Sequence, residues 1–400
     1  MTLGAMDYGR LLECLMEGAA DVIYFKDLQS RFIMVNEALL KKHGWNSADY
    51  VVGKTDFDLW ALEHAEQAYR DEQRIIRTGE PLRGIEEKEV WPDGSVTWAS
   101  SSKLPLRDSS GNIIGTFGIS RDITERKLAE LRVRRYAEEI AAIKQDMEDD
   151  VCMAGQLQRN FMPQSYPDFS DATEVRNVEF LHRFISSHAV SGDYCSIVRV
   201  SDREAGIFQC DVSGTGVRAA LGTALVRGTM QEIAQSGRNP GEYLYRMNNL
   251  LVPLIRQEGS ELDITACYLV LDIQTGRLRG ANAGHPPPLL MRDDRPAEWL
   301  FRHESARGPS LAIEKSYTYE TVGYDLGAGD AVVMFTDGLF SVKNETDDAY
   351  GLKRMLDSAH SLVGEPLADI FDGLVGDASS FSWNNAFADD VCLVGFRLEE

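Results

Sequence analysis

Cysteine pairs, long apolar runs and basic clusters are all scarce in this 400-residue sequence, and each scarcity excludes something. The six cysteines (Cys14, Cys152, Cys195, Cys210, Cys267 and Cys392) are scattered, with no CxxC pair and no framework spacing. Zinc and structural disulfides are therefore unsupported, and reduced, buried thiols are expected. No stretch reaches the roughly 18 to 20 consecutive apolar residues of a membrane span, and no basic segment followed by an apolar one marks the N-terminus. A cytoplasmic protein with no membrane attachment is expected. Basic residues (41) are outnumbered by acidic ones (63), for a net charge of −22, and no basic run interleaves with aromatics. Such a surface repels phosphate backbones, so no nucleic acid partner is expected. A phosphate-cradling GxxxxGK[ST] loop and a kinase-like motif set are also missing, which sets aside a sensor-linked kinase or cyclase.

What is present is ample apolar material, 44% of residues, enough for two cores and a connector. From Asp7 to Ile123 short helices and strands alternate. Phe32 to Val35 reads as a strand, and Ala61 to Thr78 as a helix ended by Gly79, Glu80 and Pro81. Three strands follow, joined by turns at Pro92, Asp93, Gly94 and at Asp108 to Asn112. This region resembles a PAS domain in DVIYFKD, FIMVNEALLKKHGW, WPDGSVTW and GISRDITERK. The flavin-adduct cysteine motif is absent, and His43 or His64 would serve as a haem ligand only by coincidence. The PAS ligand stays unknown.

Residues 125–161 are rich in Glu, Lys, Arg, Ala and Leu. Val133, Tyr136, Ile140, Ile143, Met147, Asp150, Ala154, Leu157 and Phe161 step by three and four, the rhythm of a helix with one apolar seam. Either the helix lies on its own domain, or it pairs with a second copy as a coiled coil in a homodimer. Asp150 and Ala154 weaken the seam and make any pairing marginal. The expected organisation is 1–124 sensor, 125–161 linker and 162–400 catalytic domain.

After Pro163 strands (IFQCDVS, ACYLVLDI, AVVMFTD, DVCLVGFRL) alternate with helices, the clearest from Arg218 to Ala234 and Pro240 to Arg256. Gly-bounded hairpins favour an α+β sandwich over a doubly wound parallel sheet. Asp193, Asp211, Asp337 and the pair Asp389 and Asp390 each sit at the end of a hydrophobic strand. Carboxylates projected from strand ends into a common rim suit hard divalent cations, which take oxygen ligands.

Six ordered motifs over about residues 150 to 398 resemble the PPM-type phosphatases of the bacterial SpoIIE-type branch: GQLQRNFMP, VSGDY, DVSGTGVRAA, ANAGHPPPLL, LGAGDAVVMFTDGLF and FADDVCLVGF. The resemblance implies an α/β/β/α sandwich and hydrolysis of phosphoserine or phosphothreonine esters with two Mn or Mg ions. By it, Asp211 bridges the metals and the Val212 carbonyl adds a backbone oxygen. Asp193 binds the second metal, Asp337 and Asp389 the first, with Asp390 an unranked substitute for Asp389. The implied substrate is a phosphorylated STAS-type anti-sigma-factor antagonist. The family usually has His where Thr215 stands, Thr at Cys392 and Glu at or next to Ser341, and no general acid is evident. His182, His188 and His285 lie in or near motifs, with His285 read as shaping a turn before three prolines. The competing reading is a PPM-fold module that has lost activity and docks a partner under PAS control.

Overall fold

The computed structural model describes residues 8–91, 93–169, 176–256, 262–303 and 306–399, so Pro92 of the first expected turn lies outside the described residues. The chain divides into two compact units, Met1–Ile143 and Lys144–Glu400.

The first unit runs α1 (Tyr8–Gly18), β1 (Val22–Asp27), β2 (Phe32–Val35), α2 (Glu37–His43), α3 (Leu62–Thr78), β3 (Leu82–Val90), β4 (Val96–Arg107) and β5 (Ile113–Asp122). Its sheet is antiparallel throughout in the order β2-β1-β5-β4-β3. Local chemistry sets the boundaries. Asn36 caps α2 by accepting from the Leu39 N–H, and Gly44 ends it in the left-handed region at φ 68°. In the second hairpin turn the Asp108 carboxylate accepts from the N–H groups of Ser110 and Asn112.

The interior of this unit is polar as well as apolar. Beside the small cluster of Val22, Phe32, Leu39 and Val51, Lys26 is buried with its ammonium on the carboxylates of Asp56 and Glu72 and 4.2 Å from the Phe32 ring centroid. Burial and the Asp56 charge raise the Glu72 pKa against the opposing pull of Lys26. Among the described residues, the second Glu72 carboxylate oxygen is buried without a hydrogen-bond partner. His43 stacks on Trp45 and contacts Trp60 and Trp91.

Helix α4 (Thr124–Arg159) is continuous over 36 residues. The expected seam reaches Leu157 but not Phe161, which lies past the helix end and packs on the core of the second unit, with the Arg227 guanidinium 4.3 Å from its ring centroid. Gly155 and Gln158 are the positions α4 buries.

The second unit contains β6 (Val178–Ile185), β7 (Asp193–Arg199), β8 (Glu204–Val212), α5 (Val217–Glu232), α6 (Pro240–Ile255), β9 (Ile264–Asp272), β10 (Arg277–Ala283), β11 (Leu289–Arg292), β12 (Arg295–Trp299), β13 (Arg307–Gly308), β14 (Val322–Asp325), β15 (Ala331–Phe335), α7 (Gly351–Ser361), α8 (Leu367–Phe381) and β16 (Val391–Leu398). One sheet has the order β13-β10-β9-β8-β7, with β14 also on β10; the other has β12-β11-β15-β16-β6. Strand periodicity assigns each face. Val332 and Met334 of β15 and Cys392, Val394 and Phe396 of β16 join the cluster that includes β8, β9, α5 and α6. Their neighbours Val333, Phe335, Val391 and Leu393 point the other way, into the cluster with α7 and α8. The result is the expected α/β/β/α sandwich.

Two of the six cysteines depart from expectation, because Cys14 and Cys152 are exposed on helices while the other four are buried; all six are free. Among the described residues no helix is long and apolar enough to cross a membrane.

Candidate metal centre

Four strand ends bring the predicted aspartates to one edge of the sandwich. Asp193 opens β7 and Asp211 is the second-last residue of β8, and the two are direct cross-strand partners. Asp337 begins the single turn after β15, and Asp389 and Asp390 immediately precede β16. Val212 closes β8, and its carbonyl stands against Gly192, where a Cβ would lie 2.3 Å from that oxygen. A Cβ on Gly338 would lie 1.9 Å from the Asp390 carbonyl. Only glycine at these two positions lets the loops carrying Asp193 and Asp337 approach so closely.

The electrostatics show that the acids share one field. Burial, then Asp337, Asp389, Asp390 and Asp263, raise the Asp211 pKa to about 7. Burial, the Cys392 thiol and Asp211 push Asp193 well above the usual carboxylate range. Burial and Asp389 raise Asp337. The largest influences on these groups are desolvation, one another and, for Asp193, the Cys392 thiol, with no Lys or Arg among them. An all-oxygen donor set carrying uncompensated negative charge fits a hard divalent cation. Among the described residues, no three or more His, Cys, Asp or Glu side chains are already gathered at ligating distance, so the carboxylates form a field and not a finished shell.

The two adjacent acids differ in their settings. Asp390 is buried, and its Oδ1 accepts from the Ser187 N–H at 2.7 Å and the Ser187 hydroxyl at 3.0 Å. Asp389 is exposed, and one of its oxygens accepts from the Asp390 N–H. Asp389 is open to solvent, while Asp390 holds the loop at Ser187.

Three contributors escaped the sequence reading. Thr336 donates its hydroxyl to Asp193 Oδ2 at 2.6 Å and accepts from the Cys392 N–H at 3.0 Å, pinning Asp193 to the second sheet. Asp263 precedes β9 and is tied to Ser213 through two hydrogen bonds; its strand-end position is the same signal that identified the others. Gln158 of α4 donates to the Ser191 carbonyl at 2.6 Å and the Thr223 hydroxyl at 2.8 Å, and accepts from the Ser191 N–H at 2.8 Å. The linker helix thus grips the loop that leads into Asp193.

The histidines separate. His285 is buried with Nδ1 on the Thr265 hydroxyl and Nε2 near the Gln209 amide oxygen, and burial lowers its pKa to about 3. Asn282 clasps its backbone on both sides, the turn-shaping role expected. His182, on β6, bonds the Tyr166 hydroxyl.

The family described as Stage II sporulation protein E (SpoIIE) matches residues 201–399, a span that takes in Asp211, Asp337, Asp389 and Asp390 but begins after Asp193, and a PAS fold matches residues 16–128. The chain is 23% identical over 240 residues to the phosphoserine phosphatase RsbU of Bacillus subtilis (strain 168), covering 59% of this chain and 68% of that protein. It is 24% identical over 243 residues to the phosphoserine phosphatase RsbP of the same organism, covering 60% of this chain and 56% of that protein. The chain thus spans about two thirds of one relative and little more than half of the other. Among solved structures, the SiaA-PP2C domain of Pseudomonas aeruginosa aligns with a TM-score of 0.54 at 19% identity, over 65% of this chain and 100% of that one. At that identity the likeness speaks for the fold alone.

Proposed function

This chain belongs to the PAS-linked SpoIIE-type family of protein serine/threonine phosphatases, and on that footing we propose that it is a cytoplasmic, divalent-metal-dependent enzyme that dephosphorylates a small phosphoprotein under PAS control. A phosphorylated STAS-type antagonist of an anti-sigma factor is the substrate that the family resemblance supports. The observation that carries the reading is the shared field of Asp193, Asp211, Asp337, Asp389 and Asp390, acids from four separate strand ends that raise one another's affinity for positive charge.

Asp193, Asp211, Asp337 and Asp389, with the Val212 carbonyl, would hold two Mn or Mg ions. When bound, such ions supply Lewis acidity and neutralise the phosphoryl oxygens. The protein's own part is positional. Thr336 fixes one oxygen of Asp193, Gly192 admits the Val212 carbonyl, and Asp390 anchors the loop at Ser187. Purified full-length protein should hydrolyse 4-nitrophenyl phosphate with Mn²⁺ or Mg²⁺ and stop when chelator is added. Absence of turnover with either ion would favour the docking module instead.

The linker supports a homodimer. Val133, Tyr136, Ile140, Ile143 and Met147 are 60 to 68% exposed within one chain, a stripe that a second copy of the helix would cover. Sedimentation at micromolar concentration should give a dimer, and Ile140→Asp should give a monomer. A wild-type chain that sediments as a monomer would rule the pairing out. Gln158 and Gly155 tie the end of α4 to the loop before Asp193.

A further inference from the structure

Hydrolysis of a serine phosphate leaves a strongly basic alkoxide, so a proton donor at the departing oxygen contributes about 10²- to 10⁴-fold. The sandwich offers few candidates. His285 is buried with both ring nitrogens engaged, His182 is bonded to Tyr166, and His360 Nε2 lies on the Ala297 carbonyl. His188 differs. It is exposed on the loop between β6 and β7, and its Nδ1 lies 2.8 Å from the Ser187 hydroxyl oxygen.

The hydrogen bonds fix its tautomer. Ser187 directs both its N–H and its single hydroxyl proton to Asp390 Oδ1. The Ser187 oxygen can then only accept from His188, which requires the imidazole to carry a proton on Nδ1. Any exchangeable second proton must sit on Nε2, which makes no hydrogen bond among the described residues. Asp390 in turn lies within the field of the acidic cluster, as its influence on Asp193 and Asp211 shows. A carboxylate, a hydroxyl and an imidazole are thus joined in series from that cluster to the exposed surface.

Resting on the phosphatase reading above, we propose that His188 is the proton donor to the leaving oxygen, with Ser187 and Asp390 as positioning residues. As the water oxygen bonds to phosphorus, the phosphorus–ester oxygen bond breaks and its electron pair stays on the ester oxygen. That oxygen takes the proton from His188 Nε2. The water's released proton passes to solvent, and solvent restores the imidazolium, leaving alcohol and inorganic phosphate.

Leaving-group dependence tests this directly. With Mn²⁺, wild type, His188→Gln and Ser187→Ala are compared on 4-nitrophenyl phosphate, whose weakly basic leaving group needs no proton, and on phenyl phosphate, whose leaving group does. His188→Gln should lose about 10²-fold or more in kcat/KM on phenyl phosphate, and less than about threefold on the nitrophenyl ester. Ser187→Ala should shift the same ratio by about tenfold through misalignment of the ring. His188 is exposed, so an unchanged melting temperature checks that the variant is folded. Equal losses on both esters, or none on either, overturn the assignment of His188 while leaving the phosphatase reading intact. A wild type that turns over neither ester sinks that reading and this one with it.

Discussion

Asp211→Asn is expected to lower metal-supported turnover by about three orders of magnitude or more, the loss of several kcal/mol of transition-state stabilisation. The substitution keeps the side-chain shape and removes the charge on which the other acids converge. Its effect on folding should run the other way when metal is absent. Burial and four neighbouring aspartates raise the Asp211 pKa from 3.8 to about 7. Between those values the native state binds more protons than the unfolded chain, so stability is fully present below the lower value and is lost as pH rises through the upper one. The loss is bounded by roughly 4 kcal/mol, and coupling among the acids spreads it over the group. In chelator, wild type should therefore melt lower at about pH 8 than at about pH 5, and Asp211→Asn should show a smaller drop. Near wild-type hydrolysis by the variant at saturating Mn²⁺ would remove Asp211 from the site.

Lys26→Met should be the most damaging single change in the N-terminal unit. The lysine side chain is 1% exposed and lies between carboxylates that are 7% and 1% exposed. Removing one partner of a buried ion cluster typically costs about 3 to 5 kcal/mol, since the remaining charges stay desolvated and unpaired. Glu72 already has a raised pKa, so its contribution to stability is lost as pH rises through that value. The variant should be closest to wild type in acid, where Glu72 takes up a proton, and furthest from it in mild alkali. Calorimetry of the intact chain should show the transition of that unit falling by about 10 °C or more in mild alkali, while the second unit's transition is unmoved. A fall of less than about 2 °C there would mean that the acids do not depend on Lys26.

Much of this architecture was legible because its signals are local. AVVMF and VCLVGF have no polar residue to mark a face, as strands covered on both sides should, and the structure places them between the sheet that holds β8 and β9 and the α7/α8 layer. The linker helix was readable from composition and period, and its observed span, Thr124–Arg159, differs little from the 125–161 read from sequence. The aspartates were recognisable because each ends an apolar run. What stayed hidden depends on pairings across long separations. Thr336 reaches Asp193 over 143 positions, Ser187 reaches Asp390 over 203, and Gln158 reaches Ser191 over 33. No periodicity encodes such contacts. Phe161 kept the rhythm of the seam yet left it, because three overlapping turns at the helix end redirect the chain into the core.

The grip of α4 on the loop before β7 rests on very little. At Gly155 a Cβ would lie 1.8 Å from the Ala189 carbonyl, so the helix backbone itself touches the loop, and Gln158 adds three hydrogen bonds. Those bonds are worth about 0.5 to 1.5 kcal/mol each, and their sum, about 1.5 to 4.5 kcal/mol, overlaps the range of allosteric coupling free energies, about 1 to 3 kcal/mol. A contact of that size is strong enough to bias where Asp193 and His188 sit and weak enough to be broken by one binding event. The joint therefore has the energetic scale of a thermostat setting, not of a structural weld.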